Sequence, residues 1–150
     1  MQIVANNKKA FFEYFILEKI EAGIQLTGDE VKSLRVGKAS IKEAYAEAKK
    51  GQLFLVNSDI SNYEKASNYS KLNSKRVRKL LVHKKEISKL QGKIEKEGMT
   101  IVPLKLYFNN KGIAKVEIAI AKGKKLYDKR EVKKKKDWNI QKKRLLKNIN

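Results

Sequence analysis

Side chains able to do covalent or metal chemistry are scarce in this chain. His83 is the single histidine and there is no cysteine. That removes thiolate nucleophiles, disulfides and any metal site built from several His or Cys ligands. No phosphate loop of the GxGxxG or GxxxxGK[ST] type occurs. The carboxylates are scattered among lysines, where surface ion pairs are the ordinary outcome rather than a general acid–base dyad. A lone histidine near apolar residues is ordinarily structural or a surface hydrogen-bonder. No catalytic residue, metal ligand or cofactor is assigned, and the chain reads as a non-enzyme.

Cationic chemistry is what remains. The chain carries 36 Lys or Arg against 16 Asp or Glu, a formal charge of +20 over 150 residues. Charge of that size repels itself until a polyanion screens it, so nucleic acid is the leading partner and an anionic membrane the second. A merely soluble, lysine-rich surface is the plain alternative. Half of the excess lies in Lys122 to Asn150, where 13 basic residues face 3 acidic ones. No apolar run approaches the roughly 18 residues of a membrane span. The apolar stretch Phe11 to Leu17 is short and interrupted by Glu13, unlike a signal peptide. A soluble protein of the reducing cytoplasm is the expectation.

A folded body must position these charges. Met1 to Ala10 reads as an arm or a first edge. Phe11 to Thr27 alternates with period two, placing Phe12, Tyr14, Ile16, Ile20, Ala22, Ile24 and Leu26 on one face. Glu18 falls on that face too, and Gly23 reads as a bulge or bend, so a bent strand or a tight strand pair both fit. Thr27-Gly28-Asp29-Glu30 is a capping box that opens a short helix over 28–36, stopped by Gly37. Ile41 to Ala48 and Leu53 to Val56 suggest a hairpin turning at Lys50-Gly51. Asn62 to Lys75 is a long polar loop carrying Tyr63 and Tyr69. Val77 to His83 suits either a strand or a helix start. Lys84 to Glu97 is helical, with Ile87, Leu90 and Ile94 on one stripe and Gly98 at its end. Ile101 to Ala121 is a hairpin turning at Asn109-Asn110-Lys111-Gly112, and Pro103 implies an edge or the start of a strand.

The predicted fold class is therefore mainly β with flanking helices. It is a small closed or partly open six-stranded β-barrel of the oligonucleotide-binding type, with an open sheet as the alternative. Residues 1–125 form the body and residues 126–150 a basic C-terminal tail. In a helix, Trp138, Gln141, Leu145 and Ile149 would share one stripe among lysines, too small a stripe to hold that helix in water. The tail is expected to be disordered when free and helical once a polyanion neutralises it. A non-specific tail and a membrane-surface helix are the competing readings.

Several blocks resemble one family. Ala22-Gly23-Ile24, Leu26-Thr27-Gly28, Glu30-Val31-Lys32-Ser33-Leu34-Arg35 and Gly37-Lys38-Ala39 are similar to the signature of the SsrA-binding proteins, also called small protein B. So are Arg78-Lys79-Leu80-Leu81, Pro103-Leu104-Lys105-Leu106-Tyr107-Phe108, Ala121-Lys122-Gly123-Lys124-Lys125 and Asp128-Lys129-Arg130. The match runs in order from about Asn7 to the C-terminus. The resemblance implies an oligonucleotide-binding-like barrel that binds transfer-messenger RNA and brings it to stalled bacterial ribosomes for trans-translation. It implies a protein bound to RNA as a monomer, with the ribosomal decoding region and message channel as further partners and no membrane or small-molecule substrate. Contacts to the elbow of the tRNA-like part would fall on Asn7, Glu21, Leu81, His83, Lys115, Lys122, Lys124 and Lys125. The ribosomal role of the tail would fall on Tyr127, Asp128, Lys129, Arg130, Trp138, Leu145 and Leu146. His83 stands where some relatives carry Asn, and Tyr127 where some carry His. Glu21 cannot bind phosphate; as an acceptor it could read base amino or imino groups, a surface salt bridge being its bland alternative. A basic ribosomal or assembly protein would share the barrel and tail, while an RNA-modifying enzyme would need chemistry the chain lacks.

Overall fold

The computed structural model describes residues 1–62 and 73–124. In chain order it has β1 (Gln2–Asn6), α1 (Lys8–Glu13), β2 (Tyr14–Ile24), α2 (Gly28–Arg35), β3 (Ala39–Ser40), β4 (Tyr45–Lys49) and β5 (Gln52–Val56). These are followed by β6 (Asp59–Ile60), β7 (Arg78–Leu81), α3 (Lys84–Glu97), β8 (Thr100–Phe108) and β9 (Ala114–Gly123). Six strands pair in a ring, β8–β4–β5–β7–β2–β9 and back to β8, every pairing antiparallel. β1 adds to the far half of β8, and β3 with β6 makes a separate two-stranded ladder. The ring is the expected barrel. Two of its seams are short: Ala46 with Ile101 joins β4 to β8, and Gly23–Leu81 with Ile24–Leu80 joins β2 to β7.

Leu53, Leu55, Leu80, Ile101, Leu106, Val116 and Ile118 fill the interior, with Leu34 of α2 and Ile87 and Leu90 of α3 packed against them. The capping box at Thr27 and Glu30 forms as predicted. Gly98, at φ 63°, ends α3 in the left-handed conformation that an L side chain disfavours. The ambiguous stretch at Val77 resolves as strand β7, because Leu80 pairs with Leu53 and Ile24 on its two sides.

Three expectations need correction. Phe11 to Glu13, expected in the strand, are helical: Asn7 opens the six-residue helix α1 by accepting from the Ala10 amide at 3.2 Å. Its amide group also donates to the carbonyls of Pro103 at 2.9 Å and Ile41 at 3.3 Å, and its side chain is buried. Asn7 is thus committed inside the protein as a staple between α1, β8 and the turn before β4, not turned outward to an RNA. Second, the bulge in β2 lies between Ile16 and Glu18 rather than at Gly23. It reverses the alternation, so Tyr14 and Ile16 pack on a second cluster with Ala10, Val102, Leu104, Ala119 and Ala121, and only Ile20 onward faces the barrel core. The extra residue is the exposed Leu17; Glu18 stays in phase with Ile20, opposite Ile120, and is satisfied there by Lys89 of α3 at 2.6 Å. Third, Pro103 is inside a strand and not at its start, and its side away from β9 falls in the gap between the pairings to β4 and β1. It lies at a matching bulge in β8, between Pro103 and Lys105, where a missing ladder amide is tolerated.

One ionic cluster lies deep in the body. The fully buried Arg78 donates through Nε to Glu30 Oε2 at 2.7 Å, while its Nη1 reaches the Ser58 carbonyl and hydroxyl at 3.1 and 2.9 Å. Nη2 contacts Glu30 Oε2 at 2.6 Å and donates to the Ser74 carbonyl at 3.0 Å. Four hydrogen bonds therefore engage the guanidinium, with the Nη2–Glu30 contact as an ion pair beside them. Arg76 donates to Glu30 Oε1 at 2.5 Å, and that oxygen also accepts from the Thr27 amide at 2.9 Å. Burial works to raise the Glu30 carboxyl, but donors from Arg76, Thr27 and Arg78 outweigh it and hold the group below its usual range.

Removing one partner of such a cluster strands a buried charge, so Arg78→Ala should lower unfolding free energy by about 3–5 kcal/mol, read by urea denaturation. Glu30 gains stability from its depressed pKa only while ionised. Its contribution should be complete above the ordinary carboxylate value of 4.5 and be lost as pH falls through the lower folded value. In a Glu30→Gln variant that part of the acid dependence of melting should vanish.

Candidate RNA interface

Among the described residues the ring borders an open groove of about 1010 Å³. The β4–β5 turn contributes Lys50, Gly51 and Gln52; β7 and its exit contribute Lys79, Leu81 and His83; the start of α3 contributes Lys84, Glu86 and Gln91. Glu21 and Gly23 of β2 and Lys115 of β9 complete it. Four residues singled out in the sequence, Glu21, Leu81, His83 and Lys115, thus converge although they span nearly a hundred positions.

Strand alternation explains the β7 wall. Arg78 and Leu80 point inward and are buried, so Lys79 and Leu81 face the groove. Leu81 keeps 47% of its surface exposed, an apolar spot among charges. Beside it β2 comes unusually near: a Cβ on Gly23 would lie 3.2 Å from the Leu81 Cβ, closer than side chains ordinarily sit. The glycine is there for close approach, not for a bend. His83 is the N-cap of α3, and no side chain caps that helix start. Its first-turn amides leave a partial positive charge at the groove. Four lysines against two glutamates line this space. Such a groove attracts a polyanion by charge, offers Glu21 as the contrasting acceptor, and presents Leu81 to an apolar face.

Lys122 and Lys124 lie elsewhere. Lys115 and Lys122 are seven strand positions apart, about 24 Å at the usual rise. Lys122 pairs with Phe15, and Lys124 donates to the Phe11 carbonyl at 3.0 Å with its ammonium 5.3 Å from the centre of the Phe15 ring. These two form a separate basic region at the opposite end of β9. Lys125, Tyr127, Asp128, Lys129, Arg130, Trp138, Leu145 and Leu146 lie outside the described residues, as do Tyr63 and Tyr69.

Sequence reasoning overlooked Lys50, Lys79 and Lys84 as groove residues. The signal for Lys79 was present, since period-two alternation with Leu81 puts both on one face. Nothing local marked Lys50, which was visible only as a turn residue. Among the described residues there is no group of three or more His, Cys, Asp or Glu placed to hold a metal ion, and no helix long and apolar enough to cross a membrane.

Comparison with known proteins adds the following. Residues 4–148 match the family model described as SmpB protein. An SsrA-binding protein of Wolbachia pipientis subsp. Culex pipiens is 56% identical over 148 residues, covering 99% of each chain. The SsrA-binding protein of Nitrobacter winogradskyi is 55% identical over 146 residues, 97% of this chain and 92% of that one. A solved structure described as "tmRNA-SmpB: a journey to the center of the bacterial ribosome" contains a chain that superposes with a TM-score of 0.66. Its identity is 50%, over 79% of this chain and 82% of that one.

If the groove carries RNA phosphates, each lysine there releases about one counterion on binding. Lys79→Ala and Lys115→Ala should each make the slope of log K against log salt shallower by about one. Glu21→Ala should weaken binding and leave the slope unchanged. Titrations with a tRNA-like RNA fragment over a range of salt concentrations measure both quantities.

Proposed function

The chain belongs to the SmpB protein family, matched over residues 4–148, and on that premise we propose that it is a non-catalytic RNA-binding adaptor of ribosome rescue. It binds transfer-messenger RNA and delivers it to ribosomes in trans-translation, as befits a close relative of SsrA-binding proteins and of the chain in the tmRNA-SmpB ribosome structure. The observation that carries the finer reading is the convergence of Glu21, Leu81, His83 and Lys115 on one basic groove.

In this reading the body, residues 1–125, holds the elbow of the tRNA-like part. Lysines of the groove neutralise phosphates and set register; they carry no sequence information. Glu21 accepts from neutral donors of the RNA and so adds selectivity. Lys122 and Lys124, about 24 Å away along β9, extend the electrostatic footprint toward residues 126–150. That tail serves the decoding region and message channel of a stalled ribosome, with Tyr127, Asp128, Lys129, Arg130, Trp138, Leu145 and Leu146 as its contacts, and folds to a helix there. Asn7 supports the RNA surface from within, by fixing α1 against β8. The protein acts as a monomer on its RNA in the cytoplasm, with no cofactor, membrane or small-molecule substrate.

Pull-down of the full-length protein from the source bacterium, with sequencing of the bound RNA, tests the adaptor reading. Transfer-messenger RNA should be strongly enriched; recovery of ribosomal RNA alone would instead favour a ribosomal or assembly protein. Truncation after Tyr127 should leave affinity for transfer-messenger RNA within a few-fold while tagging of stalled chains is lost. Tagging that survives the truncation would reduce the tail to a counter-charge.

A further inference from the structure

Glu21 on β2 stands directly across from Glu117 on β9. Like charges in that position destabilise a sheet unless each finds a donor or a counter-charge. Lys19 lies 4.0 Å from Glu117. For Glu21 the partner comes from two strands away: the hydroxyl of Tyr107, on β8, donates to Glu21 Oε2. Tyr107 pairs with Lys115 on the intervening β9, so its ring reaches over that strand beside a groove lysine. The tyrosine is 6% exposed, yet it belongs to neither apolar cluster of the body. Its hydroxyl ends on a carboxylate. Glu21 itself is exposed and lines the groove. Among the described residues no hydrogen bond or ion pair engages its second oxygen.

We propose that Tyr107 is a positioning residue for RNA recognition: its hydroxyl pins one oxygen of Glu21 and leaves the other as the single acceptor presented to a neutral donor of the RNA. This rests on the reading of the groove as the site of the tRNA-like part. A free carboxylate oxygen repels phosphate, so its complement in RNA is a base N–H or a ribose 2′-hydroxyl. A carboxylate on a flexible exposed stem would lose rotamer freedom on binding. Pinned by a buried phenol, it has lost that freedom already. Burial and the neighbouring Glu21 push the Tyr107 hydroxyl above its usual range, so it stays a donor at any working pH.

The test uses the full-length protein and transfer-messenger RNA, with affinity measured for the parent, Tyr107→Phe, Glu21→Ala and the double variant, and thermal unfolding recorded for each. Tyr107→Phe should weaken binding about tenfold with an unchanged salt slope. The double variant should bind no more weakly than Glu21→Ala alone, because Tyr107 acts through Glu21. Parent-like binding by Tyr107→Phe beside a weakened Glu21→Ala overturns the positioning role and leaves the groove reading standing; so does a double variant whose losses multiply. Parent-like binding by Glu21→Ala, Leu81→Ala and Lys115→Ala together sinks the groove reading itself. Should Tyr107→Phe melt early, Glu21→Asp carries the test. It keeps the charge but is one methylene too short to stay on the Tyr107 hydroxyl, so it should bind nearly as weakly as Glu21→Ala, and parent-like binding would refute the proposal. RNA with 2′-deoxyribose in the contacted stretch separates the two donors: Glu21 dependence persists for a base N–H and disappears for a 2′-hydroxyl.

Discussion

The buried Glu30 carboxylate is the constraint on which the placement of the groove depends. It closes the capping box of α2, receives Arg76, and receives Arg78 at the start of β7. A charge in that position is costly to bury and is tolerated because its neighbours saturate it. The consequence reaches beyond the cluster. With Arg78 fixed inward, alternation forces Lys79 and Leu81 outward, and two residues further on the chain caps α3 at His83. The β7 wall of the groove is thus set by an ion pair on the other side of the same strand. An apolar residue in place of Arg78 could fill the volume, but it would not tie α2, Ser58 and Ser74 to one strand end.

Paired bulges provide the second constraint. Those in β2 and β8 allow neighbouring strands to bury one face against the barrel core at one end and the opposite face against α1 at the other. Without them, Tyr14 and Ile16 would compete with Ile20 and Ala22 for the same interior. The α1 end therefore acquires its own small core, and the groove end keeps a polar outer surface where Tyr107, Lys115 and Glu21 can meet. One strand, β9, carries a lysine near each end, Lys115 lining the groove and Lys122 opposite Phe15.

Much of this was legible in the sequence because it is local. The hairpin over Ile101 to Ala121 appears as β8 and β9 with small shifts of boundary, the capping box forms on the predicted residues, and α3 spans the predicted range. What escaped was either too short or too distant. Helix α1 has six residues and no apolar stripe long enough to register; its signature is a single capping Asn7 whose other bonds lie 34 and 96 positions away. The bulge hid inside an alternation that looked continuous, and Glu18 on the apolar face answers to Lys89, 71 positions away. Glu30 was read as a cap and nothing more, since its arginines stand 46 and 48 positions downstream. The groove residues Glu21, Leu81 and Lys115 came from family resemblance, and their convergence is a fact of topology that no spacing rule contains.

The groove mixes signs, and that mixture bears on how a strongly basic protein becomes selective. Uniform positive charge binds any polyanion, with an affinity set by phosphate count and salt and with no means of rejecting the wrong RNA. An acceptor among the lysines costs affinity toward every RNA, because it repels phosphates and must be desolvated. It returns that cost only where a donor of the right geometry meets it; elsewhere a buried, unpaired carboxylate oxygen remains as a penalty. For such a discriminator to work, its position must be fixed before the RNA arrives, since a mobile carboxylate swings into solvent and rejects nothing. Glu21 is held by a phenol rooted two strands away, on a sheet whose neighbouring wall is locked by the Glu30–Arg78 cluster. The lysines, by contrast, work as well on flexible stems, because a phosphate contact needs charge within reach rather than direction. In the proposed recognition, rigid acceptor and mobile cations are two halves of one strategy, the second drawing RNA in and the first deciding which RNA stays.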